Sequence, residues 1–179
     1  MQNLADLRRE YSLARLDQQN VDRDPILQFN NWFKEALQAE VLEANAMNLS
    51  TLTTDGRPTS RVVLLKGVEQ GCFVFYTNYQ SSKGKELDKN PACALTFYWA
   101  ELERQIRIEG VAELIAKEES EKYFHSRPRG SQIGAWASPQ STPIEDRGIL
   151  EERYRQMEER FKDSETIPKP NQWGGYAVR

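Results

Sequence analysis

Basic side chains stand at both ends of a short apolar run near the middle of the sequence. Arg61 and Lys66 enclose the segment Arg61-Val-Val-Leu-Leu-Lys66. An apolar centre with cationic ends is typical of a strand that is buried on both faces and contacts an anion at its ends. The alternative is that both charges extend into water from an edge strand, and the two interpretations are evenly balanced. Strict alternation places Arg61 and Lys66 on opposite faces, so one anion would contact both only through a bulge or by crossing the strand.

A second polar group follows the next predicted strand. Tyr76 and Thr77 end that strand, and Ser82 and Lys83 open a short helix with Ser81 as its N-cap. Hydroxyl groups, a cation and the N–H groups of a helix N-terminus can together hold a phosphate. The alternative is an ordinary helix start, since a Ser N-cap near a Lys is also common in helices that bind nothing.

Donors and aromatic rings are most concentrated between residues 123 and 136. Tyr123, Arg127 and Ser131 lie at a predicted helix end and in the loop after it, where anionic ligands commonly bind. His125 is the single histidine. No Ser or Cys nucleophile with an acidic partner accompanies it, so we interpret His125 as structural.

One further strand has a polar face, formed by Gln105, Arg107 and Glu109. The alternation alone favours a solvent-facing surface over a binding site. The sequence has no glycine-rich nucleotide loop, no His-Glu-x-x-His and no Cys-x-x-Cys, which argues against Rossmann NAD enzymes, P-loop NTPases and zincins.

Composition indicates one globular domain in 179 residues, with 39% apolar and 28% charged residues. The net charge of -3 argues against nucleic-acid binding, which needs a surplus of Lys and Arg. No run is apolar enough to cross a membrane and the N-terminus is too polar for a secretory signal, so we expect a cytoplasmic protein. Cys72 and Cys93 lie in apolar runs without metal-ligand spacing, and we expect small buried side chains, no disulfide and no metal.

The elements that position these residues follow from the period of the apolar pattern. A period of two predicts strands, with a hairpin turn at Asp55-Gly56, over residues 47–53, 60–66, 72–77, 92–99, 104–115 and 173–178. Helical spacing and caps, with Asp24 and Pro25 as N-cap and first-turn residue of the first of them, predict helices over 25–45, 81–89, 117–126 and 146–162. Residues 4–11 are predicted as a short helix or arm. A Ser-, Pro- and Gly-rich stretch separates the last two. The predicted fold is a β-barrel with helices around it.

Eight segments, in order along nearly the whole chain, resemble the pyridoxine/pyridoxamine 5'-phosphate oxidase family: LRREY, RVVLLKG, FVFYTN, SSKGKEL, LERQIRIEG, YFHSRPRGSQIGAW, SPQS and QWGGY. The resemblance implies an α+β, mainly β fold, an antiparallel split β-barrel that binds FMN, with peripheral helices. It implies one domain over 1–179, comprising an arm (1–23), the helix and barrel strands (24–116), and a helical segment with the last strand (117–179). It also implies a homodimer with FMN between the subunits.

The resemblance assigns site residues one by one. The expected FMN contacts are Arg61, Val62, Val63, Leu64, Leu65, Lys66, Tyr76, Thr77, Ser82, Lys83, Gln105, Gln140 and Ser141, with Arg61, Lys83 and Ser141 at the FMN phosphate. The expected substrate contacts are Lys66, Tyr123, Arg127 and Ser131 around the substrate phosphate, with Arg8 and Tyr11 closing over the site. No protein nucleophile, base or metal is expected, because a flavin would carry the chemistry.

The implied activity is a pyridoxal 5'-phosphate synthase, which oxidises phosphorylated B6 vitamers with oxygen and forms hydrogen peroxide. Two departures from the family pattern stand out. Ser82 occupies a position where many members carry Arg, and the family continues beyond the position of Arg179 into a strand with a flavin-contacting Trp and an Arg-Leu-His-Asp-Arg motif. We therefore keep two alternatives: a flavin- or pyridoxal-phosphate-binding protein without turnover, and a related oxidase such as one of phenazine biosynthesis.

Overall fold

The computed structural model describes residues 6–7, 10–13 and 15–179. Arg8 and half of the segment predicted over 4–11, namely residues 4, 5, 8 and 9, lie outside these residues. The strands are β1 Ala46–Leu52, β2 Pro58–Leu64, β3 Gly67–Glu69, β4 Cys72–Asn78, β5 Ala92–Trp99, β6 Arg104–Leu114 and β7 Trp173–Val178. The helices are α1 Pro25–Gln38, α2 Ser82–Lys89, α3 Lys117–Ser126, α4 Arg129–Ala137 and α5 Arg147–Phe161. In the described ranges, no helix is long and apolar enough to cross a membrane.

The strands form one antiparallel sheet in the order β2-β1-β5-β6-β7-β4-β3. β2 and β3 lie at opposite ends of this order, yet only residues 65–66 separate them in the chain. The sheet must therefore curl until its two edges approach each other. The Leu65 N–H still donates to the Asn45 carbonyl beside β1 at 2.8 Å, and the Lys66 N–H, one residue later, donates to the Val74 carbonyl of β4 at 2.8 Å. The predicted fold class, a mainly β antiparallel half-barrel with helices around it, is confirmed.

The concave face of the sheet is filled by apolar side chains. Leu49, Phe75, Leu95 and Phe97 are fully buried there. α1 closes one end by inserting Phe29, whose ring packs edge-on against Phe73 at 4.9 Å between centroids. The predicted hairpin between β1 and β2 is also confirmed, since the Gly56 backbone has φ of 83° and its N–H donates to Thr53 O at 2.9 Å.

α1 ends earlier than predicted, at Gln38 rather than near residue 45. Glu40 adopts a left-handed φ of 52°, its N–H donates to Leu37 O, and the Val41 N–H donates to Ala36 O at 3.0 Å. This pair of bonds is a Schellman cap, which satisfies carbonyls at the helix end without a glycine. The absence of a glycine hid the stop signal in the sequence.

Three other features differ from the prediction: one strand boundary, one extra strand and the burial of Cys72. The strand predicted over 60–66 ends at Leu64, and the unpredicted β3 follows it. Cys72 is only half-buried at the start of β4, whereas Cys93 is buried and its pKa is raised to about 11 by burial.

The stretch predicted as a loop after α3 contains α4. Pro128 directly precedes this helix, and Ile133 and Ala137 are buried on its inner face. Ile133 joins a second apolar cluster that includes Phe124 and Phe161. Packing thus outweighs the low helix propensity of the Gly and Ser residues in α4.

Candidate functional site

A cavity of about 620 Å³ opens between the end of β2, β4, the start of α2, α3, α4 and the start of β7. Its volume lies within the range of roughly 300–1,000 Å³ that is common for small-molecule sites. Many residues that the sequence assigned to a site line it: Val62, Val63, Leu64, Lys66, Tyr76, Thr77, Lys83, Tyr123, Arg127, Ser131 and Gln140. Three distant parts of the chain therefore converge on one cavity.

The other assigned residues lie elsewhere. Leu65 is buried in the core, and Ser82 is exposed as the first residue of α2. Ser141 is exposed directly after the lining residue Gln140, with φ of 64°. Gln105 is exposed on β6 and Tyr11 is 71% exposed in the arm.

The sequence assignments missed six lining residues, namely Asn78, Pro128, Gly134, Ala135, Ser138 and Trp173. Four of them lie on or next to α4, which was expected to be a loop. Asn78 carried a signal, because it directly follows Tyr76-Thr77 at the end of β4. Trp173 lies in the segment QWGGY, but no site role was assigned to it, and it reaches the cavity only because β7 pairs with β4.

Charge in the cavity is positive. Lys66, Lys83 and Arg127 line it, and no Asp or Glu in the part of the chain that the structure describes does. Within the described residues, none of the three has a carboxylate oxygen within 4.0 Å. Cations without acidic partners in a concave site attract anions strongly, because no internal ion pair neutralises them.

Lys83 is 8% exposed and its ammonium group contacts only neutral oxygens in the described residues. It donates to Gln140 Oε1 at 3.0 Å, to Thr77 Oγ1 at 3.1 Å and to Ser81 Oγ at 3.3 Å. Burial lowers the pKa of Lys83, the nearby charge of Arg61 lowers it further, and Glu86 partly opposes them. An anion bound here would oppose the effects of burial and of Arg61, raise the pKa of Lys83 and favour the charged lysine.

Arg127 follows α3 and its guanidinium lies over an aromatic ring instead of beside an acid. Its Cζ is 4.7 Å from the ring centroid of Trp173. Its Nη1 is buried without a hydrogen-bond partner in the structure. Burial lowers the pKa of Arg127, and Tyr123 opposes this shift. A buried N–H donor without an acceptor is costly, so this group is suited to receive an anionic ligand.

Aromatic rings form one wall of the cavity. The Tyr76 and Tyr123 rings stack at 3.9 Å between centroids, and Trp173 lies nearly parallel to Tyr76 at 5.4 Å. Burial, followed by the charge of Glu69, raises the pKa of Tyr76 to about 12. Tyr76 therefore stays neutral at physiological pH and can donate a hydrogen bond.

Arg61 faces away from the cavity and toward α2. Its Nη2 donates to Glu86 Oε2 at 2.8 Å, and Thr51 Oγ1 donates to the same oxygen at 2.6 Å. Arg61 Nη1 donates to Leu49 O at 3.3 Å. Lys66, in contrast, lies beyond the end of β2 and lines the cavity. The structure thus separates the two cations that enclose the apolar run.

Replacing Glu86 with alanine is expected to lower the free energy of unfolding by about 2–4 kcal/mol, because it leaves the half-buried Arg61 without its carboxylate partner. Urea denaturation would measure the change. Glu151→Ala is the matched control, since its pair with Arg147 is exposed on α5 and should contribute little. Equal effects of the two substitutions would contradict this account.

His125 does not line the cavity. Its Nε2 lies 3.2 Å from the Ile167 carbonyl, and the side chain is otherwise exposed. This contact ties the end of α3 to the segment before β7, in keeping with a structural role.

A sequence model of the family described as "Pyridoxamine 5'-phosphate oxidase" matches residues 33–161, most of the chain. The chain belongs to the pyridoxamine 5'-phosphate oxidase family. It is 54% identical over 179 residues to a Salinibacter ruber protein named "Pyridoxine/pyridoxamine 5'-phosphate oxidase", covering 100% of this chain and 83% of the relative. A relative of the same name from Rubrobacter xylanophilus is 55% identical over 99% of this chain and 81% of its own length. Membership in this family identifies the chain as an oxidase.

Solved structures agree with the fold of this oxidase family. PhzG from Burkholderia lata 383, in complex with tetrahydrophenazine-1-carboxylic acid, superposes with a TM-score of 0.83. The two chains are 28% identical, over 90% of this chain and 78% of PhzG. A pyridoxamine 5'-phosphate oxidase-related, FMN-binding protein from Nostoc punctiforme shares the fold at a TM-score of 0.65, with 16% identity over 84% of this chain and 80% of that protein. The predicted split barrel and family are confirmed.

Proposed function

We propose that this oxidase uses FMN to convert pyridoxamine 5'-phosphate and pyridoxine 5'-phosphate to pyridoxal 5'-phosphate, with oxygen as acceptor and hydrogen peroxide as by-product. The observation that carries the proposal is the cavity, which the described residues line with three cations and no carboxylate. A phosphorylated cofactor beside a phosphorylated substrate requires cations at two places, and Lys83 and Arg127 lie on different elements of the cavity wall.

The chemistry of the cavity fits FMN. The exposed Val62 and Leu64 side chains provide apolar contacts for a flat ring system, and Lys83 with Thr77 provides donors for a phosphate. When bound, FMN supplies the acceptor for two electrons from the substrate carbon and passes them to oxygen. Assignment of Arg61 and Ser141 to the FMN phosphate stays a prediction: Arg61 is bonded to Glu86 behind the cavity, and Ser141 adjoins Gln140 at its rim.

The substrate would bind at the two cavity cations other than Lys83. Arg127 and Lys66 would orient the vitamer through its phosphate, and Tyr123 and Ser131 would complete the phosphate contacts. Arg127 can do so because Nη1 lacks a hydrogen-bond partner among the described residues. The protein's contribution to the rate is then to hold the reacting carbon in a productive orientation. Closure of Arg8 and Tyr11 over the site remains part of the proposal.

The position of Gln105 supports a homodimer. In the sheet register Val62 pairs with Asn48, Asn48 with Thr96, and Thr96 with Arg107. Directly paired residues point to the same face, so Gln105, two residues from Arg107, shares the outer face with the cavity residue Val62. The two lie three strands apart with an offset of two residues along the strand, which together correspond to about 16 Å. Gln105 would therefore reach a flavin most simply from a second copy packed on this face.

The outer face is apolar enough for such an interface. Val62 is 69% exposed, Leu64 37%, Tyr98 62% and Val111 43%, and all four point to this side of the sheet. Exposed apolar residues that share one face commonly mark a protein interface. The face also reaches the cavity through Val62 and Leu64, so a second copy could complete the site.

Replacing Val111 with aspartate is expected to weaken the dimer at least about tenfold, because it places an unpaired charge in a desolvated contact. Sedimentation velocity over a concentration series would measure the dissociation constant. Leu114→Asp is the matched control, since Leu114 lies on the same strand, points to the other side and is 63% exposed. A monomeric parent chain, or equal weakening by both substitutions, would exclude this interface.

PhzG makes a phenazine-type substrate the second candidate, because its structure contains tetrahydrophenazine-1-carboxylic acid and matches this chain at a TM-score of 0.83. That ligand carries one carboxylate and no phosphate, which would leave part of the charged set unused. Steady-state oxidation of pyridoxamine 5'-phosphate, pyridoxine 5'-phosphate and that acid by the FMN-loaded chain would separate the candidates. A larger kcat/KM for the acid would exclude the B6 proposal, and bound FMN without turnover of any of them would indicate a binding protein.

A further inference from the structure

Trp173 is a fixed aromatic surface inside the cavity. It is 7% exposed, begins β7 and pairs with Asn78 at the end of β4. Its backbone N–H donates to Pro170 O at 3.1 Å, and its backbone carbonyl accepts from Lys169 Nζ at 2.8 Å. The indole itself is buried between the Tyr76 and Phe124 rings, at 5.4 and 5.2 Å between centroids, and therefore has little freedom to move relative to the sheet.

The guanidinium of Arg127 rests on that surface, while the Arg127 backbone is held separately. The Arg127 N–H donates to Phe124 O at 3.2 Å, and the Arg127 carbonyl accepts from Gln132 Nε2 at 2.8 Å. The side chain then reaches Trp173, with Cζ 4.7 Å from the ring centroid. Phe124 lies farther away, at 5.7 Å.

The geometry of a guanidinium explains why an aromatic partner differs from an acidic one here. All five N–H donors of arginine lie in the guanidinium plane, so a ring against its face stabilises the cation and uses none of them. A carboxylate would instead occupy the donors and cancel the charge. In this chain Arg127 keeps Nη1 without a partner and has no carboxylate in contact among the described residues.

We propose that Trp173 is a positioning residue of this oxidase: its indole face holds the guanidinium of Arg127 so that the in-plane donors remain available to the substrate phosphate. The inference rests on the proposed function for the identity of the anion. It concerns orientation and charge at Arg127, so its effect should depend on the phosphate of the ligand and on the presence of Arg127.

The test compares Trp173→Leu and Trp173→Phe with the parent chain, loaded with FMN. Trp173→Leu is expected to raise KM for pyridoxamine 5'-phosphate about tenfold, with Trp173→Phe in between, because the loss of a good cation–π contact is of that order. The kcat and the FMN dissociation constant should change less than about twofold. KM for pyridoxamine, which has no phosphate, should not change.

A double-mutant cycle and a matched control separate positioning from packing. On an Arg127→Ala background, Trp173→Leu should add no further change in KM, because the group it positions is gone. Trp136→Leu removes a second Arg–Trp contact, with Arg160 5.1 Å from the Trp136 ring and outside the cavity lining. That control should leave KM unchanged.

Binding of pyridoxal 5'-phosphate by equilibrium dialysis keeps the inference testable if turnover fails. A parent chain that neither binds this anion nor oxidises the vitamers would overturn the proposed function, and the inference with it. If the parent chain binds pyridoxal 5'-phosphate and both Trp173→Phe and Trp173→Leu bind it with the affinity of the parent chain, the positioning role alone would be overturned. The positioning role would also be overturned if the changes in KM from Trp173→Leu and Arg127→Ala were fully additive, or if Trp173→Leu raised KM equally for pyridoxamine and for its phosphate. If Trp173→Leu does not fold, the same comparison between Trp173→Phe and the parent chain decides.

Discussion

Replacing Arg127 with alanine is expected to raise KM for pyridoxamine 5'-phosphate about 10- to 100-fold while the chain retains FMN. Arg127 lines the cavity without an acidic partner and keeps Nη1 without an acceptor. A charge-assisted hydrogen bond to phosphate contributes about 1.5–3 kcal/mol, which corresponds to that range. Steady-state kinetics over a range of vitamer concentrations, with FMN content measured by absorbance, would give both quantities.

Arg147→Ala is the matched control for this prediction, because Arg147 is exposed on α5 and pairs only with Glu151 in the described residues. It should leave KM unchanged. The assignment of Arg127 to substrate would be contradicted if Arg127→Ala lost FMN and if its KM for added FMN rose instead of its KM for the vitamer. An unchanged KM for the vitamer would contradict the phosphate site itself.

Replacing Lys83 with methionine is expected to raise the FMN dissociation constant about 10- to 100-fold and to leave riboflavin affinity nearly unchanged. The substitution keeps most of the side-chain volume and removes the charge that lies among Thr77, Ser81 and Gln140. Only the phosphate of FMN distinguishes it from riboflavin, so the ratio of the two affinities isolates this contact. Quenching of flavin fluorescence would measure both.

Lys85→Met is the matched control, since Lys85 lies two residues along α2 and is exposed. It should change neither affinity. Equal losses of FMN and riboflavin affinity in Lys83→Met would indicate a packing defect and contradict the phosphate contact.

FMN affinity should also depend on pH through Lys83. Burial lowers the pKa of Lys83 below the usual 10.5, so in the flavin-free chain the ammonium loses its proton at a lower pH than an ordinary lysine does. FMN affinity is then full below that lowered pKa and falls as the pH rises through it. Fluorescence titrations at several pH values should show this fall in the parent chain and not in Lys83→Met. The same fall in both would contradict the role of Lys83.

Much of the fold follows from local signals in the sequence. Alternating apolar residues located six strands, and Asp24 with Pro25 marked the start of α1, where Asp24 accepts from the Ile26 N–H at 2.8 Å. Two features that the sequence did not reveal have different causes. α4 depends on a distant contact, because Ile133 packs beside Phe161, whereas α1 ends at a local cap with a left-handed Glu40 that no glycine announces.

The candidate site divides in the same way. Lys66, Lys83 and Arg127 could be chosen from residue type and resemblance, because cations beside hydroxyl groups suit phosphate. The sequence could not predict that these three cations lack acidic partners, since that depends on where every carboxylate of the fold lies. Trp173 was missed for the same reason: it reaches Arg127 only through the pairing of β7 with β4.

The central claim is tested most directly by loading the purified chain with FMN, adding pyridoxamine 5'-phosphate in air, and following aldehyde and peroxide formation together. The proposal predicts steady formation of pyridoxal 5'-phosphate with one peroxide for each aldehyde, and loss of both in the absence of FMN. Bound FMN with neither product, or peroxide without the aldehyde, would contradict it.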